Sequence, residues 1–191
     1  MLTMTAVVAM YTICSLNDKY AVSKAKLNGS QLTFLMAAGT IPFLALLLPF
    51  SERTFTFSFP TFIFIILIAA SKFLEFSMSA KILSEMSVFE LKAWLGLTLF
   101  MSYGTDIIMY SQNVSIMKIL CIIVTAAGLV MIARSGRKKV NYPKIVIPLI
   151  VYIAAKFGYG FVMKAAEKHI SSTLTLFFAL IILAVIMIPS A

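Results

Sequence analysis

The chain has 191 residues, of which 61% are hydrophobic and only 12% are charged, and its mean hydropathy is +1.01. Soluble domains carry roughly 25% charged residues, so this composition excludes a soluble globular protein and indicates a membrane protein. The net charge of +9 does not indicate nucleic-acid binding, because the basic residues lie mostly between the apolar runs and do not alternate with aromatic residues on a soluble face.

Runs of about 20 apolar residues, the length that crosses a bilayer as a helix, recur along the whole chain. The connections between them are short and often rich in Pro, Gly, Ser or charge, so no soluble domain fits between the runs. The sequence therefore predicts an all-α, multi-pass protein of the cell membrane. The seven predicted spans are Leu2–Tyr20, Ser30–Phe50, Phe59–Ala80, Val88–Tyr110, Ser115–Arg134, Pro143–Met163 and Ser171–Ser190.

Residues suited to catalysis or to binding a cofactor are few. His169 is the only histidine, which excludes most metal sites, and Cys14 and Cys121 both lie inside predicted spans, which disfavours a disulfide framework or a redox motif. Neither HExxH nor GxSxG occurs, and no acidic cluster is suited to binding a metal with a diphosphate. The sequence therefore predicts no metal and no cofactor, and it disfavours an intramembrane enzyme.

Two stretches of the chain resemble each other: "YAVSKAKLNGSQLTF", which starts at Tyr20, and "YGFVMKAAEKHISSTLTL", which starts at Tyr159. Each leads into an apolar span that closes on a proline, Pro49 or Pro189. The second copy begins five spans after the first, so the two insert with opposite orientation, as in many secondary transporters. This predicts a first five-helix repeat at residues 1–140 and the first two helices of a second, incomplete repeat at 141–191. The alternative is a chance similarity between apolar helices.

Three further stretches are similar to the drug/metabolite transporter superfamily, in particular to its EamA-type members. "SLNDKYAVSKAKLNGSQLTFLMAAG" resembles the passage from the first to the second helix of that family, and "FLEFSMSAKILSEMSVFELKAW" resembles the passage from the third to the fourth. "SIMKILCIIVTAAGLVMIARSGRKK" resembles the fifth helix, and "NDK" is also similar to the nucleotide-sugar and triose-phosphate branch. The resemblance implies ten helices in two repeats, so that three further helices would come from more chain or from an assembly.

The basic residues are unevenly distributed between the two sides that the predicted spans define. The positive-inside rule places the richer side in the cytoplasm and the N-terminus outside, whereas the resemblance implies a cytoplasmic N-terminus, so both orientations stay open. The richer side holds Lys19, Lys24, Lys26, Lys81, Arg134, Arg137, Lys138, Lys139 and Lys144, and the opposite side holds Arg53, Lys118, Lys164 and Lys168.

Several charged residues lie inside the predicted spans, where a charge costs about 2.5–3.5 kcal/mol on insertion scales. Such residues face a partner, the protein interior or a hydrated cavity. Lys72 and Glu75 are three residues apart and therefore share one face of a helix. The alternative for Lys72 and Glu75 is a purely structural ion pair, and Asp18 with Lys19 can instead reach the membrane interface.

Tyrosines accompany the other embedded charges. Asp106 follows Tyr103 by three residues and precedes Tyr110 by four, and Lys156 precedes Tyr159 by three. This spacing predicts that the third, fourth and sixth spans line a common hydrated cavity. Glu90, Lys92 and Trp94 lie near a span start and are predicted to be anchors at the membrane interface. The predicted substrate-binding residues are Asn17, Asp18, Lys72, Glu75, Tyr103, Asp106, Lys156 and Tyr159.

The function predicted from the sequence is transport of a small polar or amphipathic metabolite by alternating access through this cavity. The alternative is an accessory or lipid-flipping membrane subunit that works only with a partner. The expected partners are a small-molecule substrate and the lipid bilayer, together with either further copies of the chain or another protein that supplies the remaining helices. Nucleic acid is not among them.

Overall fold

The computed structural model describes residues 13–14, 16–24, 26–51, 54–110, 114–134 and 142–190. Within these ranges the chain is helical apart from turns, short loops and one isolated β-bridge, which confirms the all-α prediction for this part of the protein. Short 3-10 turns, Leu48–Phe50 and Ile188–Ser190, follow the second and the last helix. The helices are α1 (residues 16–23), α2 (Gly29–Leu47), α3 (Phe59–Glu85), α4 (Val88–Tyr110), α5 (Ile116–Arg134), α6 (Tyr142–Ala166) and α7 (Ser172–Met187).

Six of the predicted spans coincide with helices α2 to α7, whereas the first, Leu2–Tyr20, falls largely outside the described residues. Three helical stretches are long and apolar enough to cross a membrane: Gly29–Phe50, Phe59–Glu85 and Tyr142–Ala166. The apolar stretches Ile116–Gly128 and Ser172–Met187 are shorter. The structure therefore supports a membrane protein, while the count of seven spans stays a prediction.

The chain divides into two compact units, each assembled from two separate stretches of sequence. Unit 1 comprises Met1–Asn28 and Ala80–Pro148, and unit 2 comprises Gly29–Ser79 and Leu149–Ala191. The sequence predicts a different kind of boundary, between two repeats, at residue 140. The division into spatial units does not test that boundary, which stays a prediction.

In unit 1, the C-terminal end of α3 is held by a lysine from α1. The Lys19 Nζ donates hydrogen bonds to the carbonyl oxygens of Leu83 and Met86, the second at 3.0 Å. The last carbonyl groups of a helix have no partner within the helix and carry the negative end of its dipole, so an ammonium group is a favourable cap. Beside it, Lys144 at the start of α6 forms an exposed ion pair with Glu85.

The next helix, α4, begins with a capping box formed by Ser87 and Glu90. The Ser87 amide donates to the Glu90 Oε2 at 3.0 Å, and the Glu90 amide donates to the Ser87 Oγ at 3.2 Å. This exchange satisfies two backbone amides that the helix leaves open. Glu90 is only 7% exposed, so its predicted role as an interface anchor is wrong. Trp94 is exposed, as an anchor at the membrane interface requires.

Unit 2 is built around the packing of α2 against α7. Ala37 on α2 and Ala179 on α7 are both fully buried, and their small side chains allow close approach of helices in a membrane. Two apolar cores result. The first contains Ala37, Leu44, Phe76, Leu180, Leu183 and Met187, and the second contains Ile65, Ile68, Ala69, Ala166, Ile170 and Ala179.

The helices α2 and α7 also have similar ends. The Thr33 Oγ1 donates to the Gly29 carbonyl at 2.7 Å, and the Thr175 Oγ1 donates to the Ser171 carbonyl at 2.9 Å. Both threonines are fully buried. Each helix then runs into a 3-10 turn that contains a proline, as the sequence similarity between the two stretches leads us to expect.

The loop before α3 and the loop before α7 pair with each other at one end of unit 2. The Thr56 amide donates to the His169 carbonyl at 2.8 Å, and the Ser171 amide donates to the Thr54 carbonyl at 2.9 Å. Residues 55 and 170 form the antiparallel bridge between these two hydrogen bonds. The α2–α3 connection and the α6–α7 connection are therefore joined through their backbones.

Candidate functional site

Glu75 is the residue around which the candidate site is built. It lies on α3 one turn after Lys72, and the Lys72 Nζ is 2.9 Å from the Glu75 Oε2. The spacing of three residues places both side chains on one face of the helix, as the sequence predicts, and their ion pair is the alternative that the sequence left open.

A second lysine reaches the same carboxylate from another helix. The Lys156 Nζ, on α6, donates to the Glu75 Oε1, so each carboxylate oxygen accepts from a different lysine. Both helices are among those long and apolar enough to cross a membrane. Sequence reasoning missed this pairing, because no residue of α6 itself is an obvious partner for Lys156. The signal in the sequence is a balance of charges within the predicted spans, three acidic residues (Asp18, Glu75, Asp106) against three basic ones (Lys19, Lys72, Lys156).

The ring of Tyr159, one turn after Lys156, completes the group. The Lys72 Nζ lies 4.0 Å from the centroid of this ring, within the range of a cation–π interaction. Lys72, Glu75, Lys156 and Tyr159 thus form one contiguous set within unit 2, which we call the charged cluster.

The charged cluster lies within the apolar interior of unit 2. Phe76, the neighbour of Glu75, belongs to the first apolar core, and Tyr159 packs against the second. The exposed fraction of the side chain is 7% for Glu75, 12% for Lys72 and 24% for Lys156. Buried charges of this kind are tolerated when they are paired, since an isolated ion in such surroundings is very costly. Lys156 is the most accessible of the three.

The other four predicted site residues belong to unit 1. Asn17 and Asp18 lie on α1, where Asn17 is exposed and Asp18 is half-buried. Tyr103 and Asp106 are half-buried on α4, and the Tyr103 hydroxyl accepts a hydrogen bond of 2.9 Å from the Ser115 amide, just before α5.

The structure therefore brings together four of the eight predicted site residues. Their convergence with Asp106 on one hydrated cavity stays a prediction, and the Tyr110 side chain lies outside the described residues.

Two cavities in unit 2 differ in kind from the charged cluster. One has a volume of about 460 Å³ and the other about 250 Å³, and apolar side chains line both. Neither includes a member of the charged cluster in its lining. The larger is lined by Ala45, Leu48, Pro49, Phe55, Leu174 and Phe178, and the smaller by Ile66, Ala69, Ala70, Phe73, Ile182, Leu183, Ile186 and Met187.

Comparison with known proteins provides no further assignment. No protein-family model matches the chain, and no curated protein and no solved structure is similar to it. The resemblance to drug/metabolite transporters therefore stays a prediction from the sequence, and the functional conclusion depends on the geometry of the charged cluster.

Proposed function

We propose that the protein is a multi-pass membrane carrier that moves a small polar or amphipathic solute by alternating access. The observation that carries this proposal is the ion pair between Glu75 on α3 and Lys156 on α6. Ionisable residues inside membrane helices are expensive, and they commonly mark a solute or ion pathway. A carboxylate shared by two lysines on two helices also provides polar groups that can exchange partners when a solute enters.

The contacts at the helix ends support a chain that crosses the membrane repeatedly. Lys19, at the end of the first predicted span, contacts Met86, just after the third, and Lys144, at the start of the sixth, pairs with Glu85, also just after the third. Residues 54–56 follow the second predicted span and pair with residues 169–171, which follow the sixth. Within each unit, the ends that meet are those that alternating spans would place on one side of a bilayer.

The similarity of α2 and α7 supports an inverted repeat. These helices pack against each other, and each begins with a buried threonine bonded to the carbonyl four residues earlier. Each helix also ends in a 3-10 turn. Inverted-repeat carriers bind their solute between the repeats, near the bilayer midplane.

Transport by the full chain in proteoliposomes tests the proposal. Vesicles are loaded in turn with a panel of amino acids, dicarboxylates, sugar phosphates and nucleotide sugars, and counterflow of the same labelled solute is measured. We expect saturable uptake of one class, loss of that uptake in Lys156→Gln, and retention in the matched control Lys144→Gln, which removes an exposed ion pair.

An absence of counterflow for every solute by folded, inserted protein would contradict a carrier. Equal uptake by wild type and Lys156→Gln would contradict the role of the ion pair between Glu75 and Lys156 in transport. Movement of a fluorescent phospholipid between the leaflets of the same vesicles would instead favour the lipid-flipping alternative.

A further inference from the structure

We infer that the transported solute is an anion, and that its carboxylate or phosphate group binds by replacing Glu75 at Lys156. This inference rests on the proposed function and assigns the chemical class of the solute. The two sides of the charged cluster, carboxylate and ammonium, differ in what they offer to an incoming molecule.

The carboxylate side of the charged cluster is already engaged. Each oxygen of Glu75 accepts from a different lysine, and the side chain is 7% exposed. A cationic solute that sought this carboxylate would have to displace a lysine from it and would bring a third positive charge to a carboxylate that two ammonium groups already share. Like charges repel strongly at such short range, so a cation is disfavoured at this site.

The ammonium side can exchange its partner. An ammonium group carries three N–H donors around a compact point charge, which suits either a carboxylate or a phosphate. Lys156 is the more accessible lysine, and its bond to Glu75 joins two helices. When an anion takes Lys156, Glu75 keeps its pairing with Lys72 on the same helix, so no charge is left alone.

Lys72 is held in place more firmly than Lys156. It pairs with Glu75 through a single helical turn, and its Nζ lies over the ring of Tyr159. Lys72 is also half as exposed as Lys156, at 12% against 24%. The exchange is therefore expected at Lys156.

The exchange has a mechanical consequence. The bond between Lys156 and Glu75 connects α3 to α6, and an anion that occupies Lys156 replaces this connection by a bond between α6 and the solute. Binding energy from the anion thus offsets the loss of an interhelical contact. A neutral solute carries no charge that could replace Glu75 at Lys156.

Thermal unfolding of the purified full chain in a neutral detergent tests the inference. The probes are inorganic phosphate and succinate, with tetraethylammonium at equal ionic strength as the cationic comparison and phosphatidylglycerol as the anionic lipid. A ligand that binds only the folded state raises the melting temperature by about 5–10 °C at 100 times its Kd. We expect such a shift with one or both soluble anions and none with tetraethylammonium.

Variants connect the shift to the charged cluster. We expect Lys156→Gln to abolish it and Lys144→Gln to retain it. We expect Glu75→Gln to bind the anion more tightly, with a Kd about tenfold lower, because the competing carboxylate is gone; a tenfold change corresponds to about 1.4 kcal/mol of coupling. If Lys156→Gln does not fold, the change in Kd of Glu75→Gln still tests the inference. The comparison of anions with tetraethylammonium in the wild type needs no variant.

Several results would overturn the inference: stabilisation by tetraethylammonium, no shift with either soluble anion, an equal shift in Lys156→Gln, or an unchanged Kd in Glu75→Gln. A shift with phosphatidylglycerol alone would assign the site to a lipid headgroup and would overturn a soluble solute. The proposed function and this inference fail through different results. Counterflow of a cation would contradict the anionic solute but not the carrier. Anion binding without counterflow of any solute would contradict the carrier but not the anion-binding site.

Discussion

Replacing Glu75 by glutamine preserves the shape of the side chain and removes the charge that Lys72 and Lys156 share. Removing one partner of a buried ion pair costs about 3–5 kcal/mol, because the remaining charge is left in apolar surroundings. Here two ammonium groups lose their carboxylate together, but the amide oxygen of glutamine still accepts one hydrogen bond. We therefore expect a loss near 3 kcal/mol, at the lower end of this range.

Such a loss is measurable as a change in melting temperature. For a chain of this size, 1 kcal/mol corresponds to about 2–4 °C, so Glu75→Gln should lower the melting temperature by about 6–12 °C. The measurement is thermal unfolding followed by circular dichroism, with wild type and variant in the same detergent.

The matched control is Glu85→Gln, which removes the exposed pair with Lys144. Their side chains are 33% and 66% exposed, and pairs of this kind contribute about 0–1 kcal/mol. A double variant, Glu75→Gln with Lys156→Met, should lose less than the sum of the two single losses, by about 0.5–3 kcal/mol. If Glu75→Gln is no less stable than Glu85→Gln, the charged cluster does not stabilise unit 2 and our account of its burial is wrong.

Three further predictions concern the ends of α3 and α4 and the packing of α2. Lys19→Met removes the donor to the last carbonyl groups of α3 and should cost about 1 kcal/mol, seen as a lower melting temperature and faster hydrogen exchange at that helix end; unchanged exchange would contradict the cap. Ser87→Ala removes one half of the capping box with Glu90 and should cost about 0.5–2 kcal/mol in thermal unfolding, and an unchanged melting temperature would mean that the box contributes nothing. Gly29→Ala should lower the melting temperature, because a Cβ there would lie 3.3 Å from a backbone oxygen of α3. Gly39→Ala is the control, since open space surrounds that position, and it should be neutral or stabilising. A higher melting temperature for Gly29→Ala than for Gly39→Ala would contradict this packing.

The helices were the most predictable feature of this chain. Val88–Tyr110 is both the predicted span and the observed α4, because a capping signal starts it and a largely apolar stretch follows. The Ser87–Glu90 capping box could have been read from "SVFE", since serine followed by glutamate three residues later is a known signal for a helix start. Reading Glu90 as an interface anchor overlooked that signal.

The composition of the charged cluster was only half predictable. The pairing of Lys72 with Glu75 follows from spacing along one helix, whereas the pairing with Lys156 joins residues 81 positions apart. That pairing depends on which faces of α3 and α6 meet. Helices that are apolar on most sides carry no amphipathic stripe that would indicate this. The same limit applies to Lys19, whose cap on α3 depends on a contact 67 positions along the chain.

The long sequence separation between Glu75 and Lys156 bears on how the protein is made. Chains grow from the N-terminus, so α3 is complete before the ribosome reaches α6. During that interval the carboxylate has its neighbour Lys72 to neutralise it, one turn back on the same helix. Lys72 can therefore neutralise Glu75 while the rest of the chain is being synthesised, and Lys156 pairs with the same carboxylate once α6 has been made.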